Sequence, residues 1–230
     1  MIKVLKISGI ALALLTLFII GFYLINNEPL PKGETGTKAD LLASKILKSI
    51  NHEAFEETKL LEWSFRGKNK YKWYKQKNIV EVSWDNHKVI LNTKNPKKSE
   101  AFTDNKKNND TELITKALNY FNNDSFWLVA PHKIYDNGVT RSLVNYNNKE
   151  ALLVTYNSGG STPGDSYLWI VDENGMPTDF KMWVKIIPIG GIGATWNKWK
   201  ETKAGIKLPT EHELSLLGLK INMGNVQASN

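Results

Sequence analysis

Ile7 to Ile25 is a run without a charge, preceded by Lys3 and Lys6 and followed by Glu28. As a helix, its 19 residues rise about 1.5 Å each and span roughly 28 Å, near the thickness of a bilayer core. The rival reading is a secretory signal peptide, whose shorter apolar region ends at small residues. Here the run ends Phe22-Tyr23-Leu24-Ile25, which favours an uncleaved signal anchor over residues 1–26, with Tyr23 at the interface. Lysines before the helix put the N-terminus in the cytoplasm and the rest of the chain outside. Pro29, Pro31, Gly33 and Gly36 mark residues 27–37 as a linker. Thr37 then caps a helix whose stripe is Leu42, Ile46, Leu47 and Ile50.

From Leu60 the period changes to two. Leu61, Trp63 and Phe65 alternate with polar residues, as do Tyr71 and Trp73, then Val80, Val82 and Trp84, then Val89 and Leu91. This predicts antiparallel strands with one apolar face, joined by hairpins. Residues 94–109 are rich in Lys and Asn and predict a loop around one short strand near Phe102. A second helix starts at Asp110 or Thr111, carries Leu113, Ile114, Ala117, Leu118 and Phe121, and ends at Asn122-Asn123-Asp124. Strands resume at 126–130, 139–146, 150–157, 166–172, 178–188, 195–202, 206–214 and 218–227. The pattern predicts an α+β, β-dominant domain over residues 38–230. Its architecture is a curved antiparallel sheet, or open half-barrel, of about 11–12 strands. Two amphipathic helices cover the concave face, because a sheet this long curls.

Composition narrows the chemistry. With no cysteine, disulfides, thiolate nucleophiles, Cys-held metals and an N-terminal lipid on Cys are excluded. The net charge is +7, of which +5 falls on residues 27–230. The basic residues are 28 Lys and two Arg, whereas nucleic-acid readers lean on Arg, so nucleic acid is not an expected partner. Lys94, Lys97, Lys98, Lys106 and Lys107 cluster on a polar loop that reads as a solvated tip. His52, His87, His132 and His212 show no metal-ligand spacing, and neither metal nor cofactor is expected. No G-x-S-x-G or S-x-x-K motif is present. Gly159–Ser166 reads as a long hairpin loop. Gly190-Gly191-Ile192-Gly193 reads as a turn, since no helix follows it.

The aromatic residues carry the main clue. Trp63, Phe65, Trp73, Trp84, Trp169, Phe180 and Met182 fall on apolar strand faces. They are either the core between sheet and helices or the lining of a cavity for a lipophilic ligand. Arg66 and Arg141 are candidates to grip a ligand carboxylate or phosphate, or else structural pairs such as Arg66 with Glu62. Trp183 alternates onto the opposite face and, with Trp196 and Trp199, forms a candidate contact patch for a partner or a membrane.

The helix at 40–50, the strand Leu61-Glu62-Trp63-Ser64-Phe65-Arg66 and the hairpin from Ser166 through Asp172-Glu173-Asn174-Gly175-Met176-Pro177 resemble the LolA/LolB-type lipoprotein carriers of bacterial envelopes. That resemblance implies an open half-barrel lidded by helices over a hydrophobic face. The expectation is a non-catalytic, membrane-tethered binding domain for a lipid, a lipoprotein acyl chain or another lipophilic molecule. Residues 7–25 would hold it in the inner membrane, with the domain in the periplasm; cleavage of the signal would instead release it. A protein-interaction or sensor module of an envelope complex is the alternative. A hydrolase built from Asp165, Ser166, His132 or Arg141 is the third reading.

Overall fold

The structure, a computed structural model, describes residues 2–108 and 110–230. Met1, Asn109 and the side chains of residues 2–7, which include Lys3 and Lys6, lie outside what it describes. The fold is α+β and β-dominant, with antiparallel sheets, no closed barrel and an apolar N-terminal helix.

Helix α1 (Ile2–Asn26) exposes most of its apolar side chains from Ile10 to Ile25 and is long enough to cross a bilayer. Helix α2 (Thr37–Ser49) starts after Gly36, which holds the cap position in place of Thr37. A short helix α3 (His52–Glu57), not expected from the sequence, follows. The strands β1 (Leu60–Phe65), β2 (Asn69–Tyr74), β3 (Ile79–Trp84) and β4 (His87–Asn92) form a meander. It is extended by β5 (Glu100–Thr103) and β6 (Lys106–Asn108), so the Lys-rich segment pairs as a hairpin. Helix α4 (Thr111–Val129) comes next. Then follow β7 (Val139–Tyr146), β8 (Lys149–Tyr156), β9 (Asp165–Val171), β10 (Pro177–Trp183), β11 (Ile192–Thr195), β12 (Asn197–Glu201), β13 (Lys207–Glu213), β14 (Lys220–Asn222) and β15 (Gln227–Ser229).

Turn chemistry sets the hairpins. Asp104-Asn105 and Asn147-Asn148 have positive φ, the backbone of twist-matched two-residue turns, and Arg66-Gly67 have it within the three-residue β1–β2 loop. In the turn before β10, the Asp172 carboxylate accepts from the N–H of Asn174 (2.9 Å) and Met176 (2.8 Å), while Gly175 takes φ 86°. Lys45 and Ser49 of α2 donate to Glu173 O and Gly175 O, pinning that turn to the helix.

The strands divide into three sheets rather than one, ordered β15-β1-β2-β3-β4-β5-β6, β11-β10-β9-β8-β7 and β12-β13-β14. They are nevertheless stitched edge to edge. The chain from Ile192 to Glu201 kinks at Trp196, so β11 pairs with β10 and β12 pairs with β13. Ser64 N–H donates to Met223 O (3.1 Å) and Arg66 N–H to Asn222 O (2.8 Å), joining β1 to β14. Breaking a long twisted sheet at such kinks lets it curl around its helices.

Helix α4 runs five residues past the Asn122-Asn123-Asp124 stop expected from the sequence, to Val129. A strand predicted at 126–130 is therefore helix. Ala117, Phe121, Asp124, Ser125, Leu128 and Val129 are buried, which keeps a helical period through the polar triplet. One core contains Phe121 and Leu128 with Leu61, Trp63, Tyr71, Val80, Val82, Trp84 and Leu91. A second contains Ile46 of α2 with Leu152, Trp169, Phe180 and Trp196, and Phe126 packs against it.

Residues 27–36 are not a free linker. Asn27 Oδ1 accepts from Gly190 N–H (2.8 Å), Glu28 N–H donates to Gly190 O (2.9 Å), and Trp183 Nε1–H donates to Glu28 O (2.8 Å). Further on, Glu34 and Leu143 exchange backbone hydrogen bonds of 2.9 and 2.8 Å, which covers the open edge of β7. Between these fixed points the strap crosses the outer face of the sheet, where Val144, Ala151, Leu153 and Leu168 are buried. A Cβ on Gly33 would lie 2.7 Å from Ser142 Cβ and 2.9 Å from Leu143 O. Gly33→Val is expected to lift the strap and speed amide exchange at Leu143, leaving exchange in β8 and β9 unchanged. Unaltered protection of Leu143 in that variant would show that the strap is not seated as described.

Candidate functional site

The bed beneath α4 is built from strand residues that alternate inward and from α4 itself. Trp63 stacks on Tyr71 at 4.6 Å between ring centroids, and Trp73 meets Phe121 edge-on at 5.3 Å. In the second core, Phe126 lies 4.3 Å from Tyr167, Phe180 lies 4.8 Å from Trp196, and Trp127 lies 5.7 Å from Phe180. His212 meets Trp196 at 5.0 Å and Trp127 at 5.4 Å. The rings touch one another and the helix.

Several polar atoms in this bed are buried without a partner among the described residues: the indole N–H groups of Trp63, Trp84, Trp169 and Trp196, and His212 Nε2. Each such group forfeits about 1–3 kcal/mol of hydrogen bonding. Asp124 differs. Its carboxylate accepts from Tyr71 Oη (2.5 Å), Asn69 Nδ2 (2.8 Å) and Asn123 Nδ2 (2.8 Å). Burial raises its pKa above the usual carboxylate value and, with the Asp124 charge, raises that of Tyr71.

A second cluster lies where α3 meets the 130–132 turn. His132 stacks on Phe55 at 4.4 Å and on His52 at 5.7 Å, and the Lys75 ammonium sits 3.6 Å over the Phe55 ring. Burial pulls Lys75 down to about 8 and lowers His52. It takes His132 to about 3 and His212 to about 4. Sequence spacing could not reveal this stack, because 79 residues separate the two histidines. Among the described residues no three His, Asp or Glu side chains gather in a metal-holding group.

The structure brings together some of the candidate residues and separates others. Trp63, Trp84, Trp169, Phe180 and Met182 are buried in the two cores, and Phe65 and Trp73 pack at the margin of the first. Arg66 stands exposed in the β1–β2 turn at φ 53°, and Glu62 pairs with Lys72 (3.0 Å) instead. Arg141 clamps α2 to β7: its Nε donates to Asp40 Oδ1 (2.8 Å), its Nη1 to Ile134 O (3.0 Å), and its guanidinium lies 4.1 Å over Tyr135. Both arginines therefore serve a turn and a clamp, away from the aromatic bed.

The expected outer patch does not form. Trp196 is 2% exposed, because the β11–β12 kink turns it inward. Trp183 does face outward but lies under the strap, and Trp199 donates to Pro177 O (3.0 Å). Asp165, Ser166, His132 and Arg141 each have separate partners. Asp165 takes Thr162 Oγ1 and Lys185 N–H, Ser166 pairs with Thr155 (2.8 Å), and His132 Nε2 sits 3.3 Å from Lys207 O.

Fold and bed together define a β-dominant α+β domain closed by one long helix behind an apolar N-terminal helix, compatible with a membrane anchor or a signal sequence. No family model matches the chain, and no curated protein matches it. A crystal structure of a DUF1329 family protein from Desulfovibrio piger is similar at a TM-score of 0.41 and 7% identity. That match covers 83% of this chain and 93% of the other.

The buried histidines predict acid sensitivity. Their folded pKa values lie below the ordinary 6.5, so under about pH 6.5 the unfolded chain binds protons that the folded chain refuses. Stability then falls as pH drops from about 6.5 toward 4, by up to ~1.4 kcal/mol per pH unit for each histidine. Urea midpoints at pH 7 and pH 5 measure this. His132→Phe, which keeps a ring in the stack, is expected to flatten the slope; an unchanged slope would assign the acid sensitivity elsewhere.

Proposed function

We propose that the chain is a membrane-anchored, extracytoplasmic, non-catalytic binding domain. In this reading α1 holds it in the inner membrane, and the bed beneath α4 receives a lipophilic guest such as a lipid or a lipoprotein acyl chain. One observation carries it: two beds of aromatic rings that meet under α4, with indole N–H groups that lack acceptors among the described residues. An ester or amide oxygen of a guest would supply acceptors to Trp169 and Trp196.

The filled interior weighs against a ready-made cavity, so binding requires the C-terminal half of α4 to lift. Exposing Phe121, Phe126, Leu128 and Val129 costs about 25 cal/mol per Å² of apolar surface. A guest offsets that cost by taking their place. The second reading is a protein-contact module of the same fold, favoured by how completely the rings already pack on each other.

The test uses the full chain in nanodiscs containing brominated phospholipid. No tryptophan lies in α1, so quenching reports on the domain. The expected result is a quenched fraction of Trp emission that disappears in Trp169→Phe and Trp196→Phe, together with lipid recovered at stoichiometric amounts after extraction. Emission from those two residues that no lipid quenches would leave the protein-contact module as the working reading.

A further inference from the structure

Helix α1 and the domain are joined without slack. Asn27 N–H still donates to Tyr23 O (2.8 Å), completing the last helical turn. The side chain of that same Asn27 is already bound to Gly190, and Glu28 is bound to Gly190, Trp183 and Lys181. The first two residues after α1 are thus part of the domain. A Cβ on Gly191 would lie 2.6 Å from Glu28 Cβ, so the 190–191 backbone and the strap are in direct contact.

Two loops near this joint expose large aliphatic side chains. The loop Val184-Lys185-Ile186-Ile187-Pro188-Ile189 runs directly into Gly190, and Ile186 is 72% exposed. The 214–219 turn is tied to the start of β11 by Ser215 N–H to Gly193 O (2.8 Å) and Gly193 N–H to Ser215 Oγ (3.0 Å). Leu217 at its tip is 93% exposed and held outward at φ 66°, a conformation an apolar side chain rarely takes. Gly193 is three residues from Gly190, a reach of at most about 10 Å. Both apolar tips therefore stand on loops anchored next to the point where the chain leaves α1, Ile186 four residues before Gly190 and Leu217 two residues after Ser215.

We propose that the domain lies directly on the bilayer that holds α1, with the Ile186 loop and the Leu217 turn pressed into the lipid interface. This inference rests on the reading of α1 as a membrane anchor. The interfacial layer is about 5–7 Å deep on each side of the hydrocarbon core, and a joint with no free linker keeps the two tips within reach of it. Burial of two large aliphatic side chains in that layer would fix the rotation of the domain about α1. It would also account for a leucine at position 217, where a left-handed turn backbone makes glycine or asparagine the ordinary choice.

The absence of cysteine makes single-site labelling direct. Full-length Ile186→Cys, Leu217→Cys, Tyr23→Cys and Lys107→Cys variants, each carrying an environment-sensitive fluorophore, are placed in phosphatidylcholine/phosphatidylglycerol nanodiscs with shallow spin-labelled lipid. The expected result is blue-shifted, quenched emission at residues 186, 217 and 23, and water-like emission at 107 on the far sheet edge. Quenching at 23 with water-like emission at 186 and 217 would overturn the docking while keeping the anchor. Water-like emission at 23 would overturn the anchor and the docking with it. Quenching at all four sites would mean that the domain collapses on lipid without a preferred face, which also contradicts the proposal.

Discussion

Two curved groups of strands each present an apolar face; α4 packs against both, and α2 shares the cover of the second. Phe121 on α4 packs with Trp63, Tyr71 and Trp73 of the first group, and five residues later Phe126 packs with Tyr167, Trp169 and Phe180 of the second. The C-terminal half of α4 packs on both cores, with Phe121, Leu128 and Val129 in the first and Phe126 against the second, and between them the Asp124 carboxylate is held by Tyr71 and Asn69 of β2. A carboxylate in that position is tolerated because three donors satisfy it. It also fixes the register of α4, since a shift of one residue would rotate Asp124 by about 100° away from its donors. The strand kink at Trp196 and the edge joints bring the two faces under α4, and Arg141 clamps α2 onto β7.

The same arrangement couples the interior to the chain's N-terminus. The strap covers the outer face of the five-stranded sheet while α2 and α4 cover its inner face, so that sheet is apolar on both sides. Such a layer is stable only when both covers are in place. Residues that leave α1 therefore complete the fold, and the domain's position relative to α1 is set by hydrogen bonds at Asn27 and Glu28.

Much of this was legible in the sequence wherever a local period carried the information. The alternation of Leu61, Trp63 and Phe65, of Val80, Val82 and Trp84, and of Phe180 and Met182 placed those residues on one face, and Trp183 on the other. What was not legible depended on partners far along the chain. Asn122-Asn123-Asp124 has the composition of a helix end, and only Tyr71 and Asn69, more than 50 residues away, make it helix interior. Pro29, Pro31, Gly33 and Gly36 have the composition of a tether, and only the surfaces of Leu143, Trp183 and Gly190 make them a strap. Trp196, read from the sequence, groups with Trp183 and Trp199 in an outer contact patch. The change of pairing partner at that residue turns it into the core. The stack of His132 on Phe55 and His52 had no sequence signal, because stacking leaves no spacing rule.

The central claim is that α4 is a single closure that can open while both sheets stay folded. Native-state amide exchange along the full chain tests it most directly. The account predicts that residues 113–129 exchange together through one opening of lower free energy than the opening that exposes β8 and β9. It further predicts that Asp124→Ala lowers the α4 opening by about 1–3 kcal/mol, the cost of leaving Tyr71 and Asn69 without their acceptor. Exchange of α4 only through global unfolding, with Asp124→Ala lowering α4, β8 and β9 equally, would contradict it.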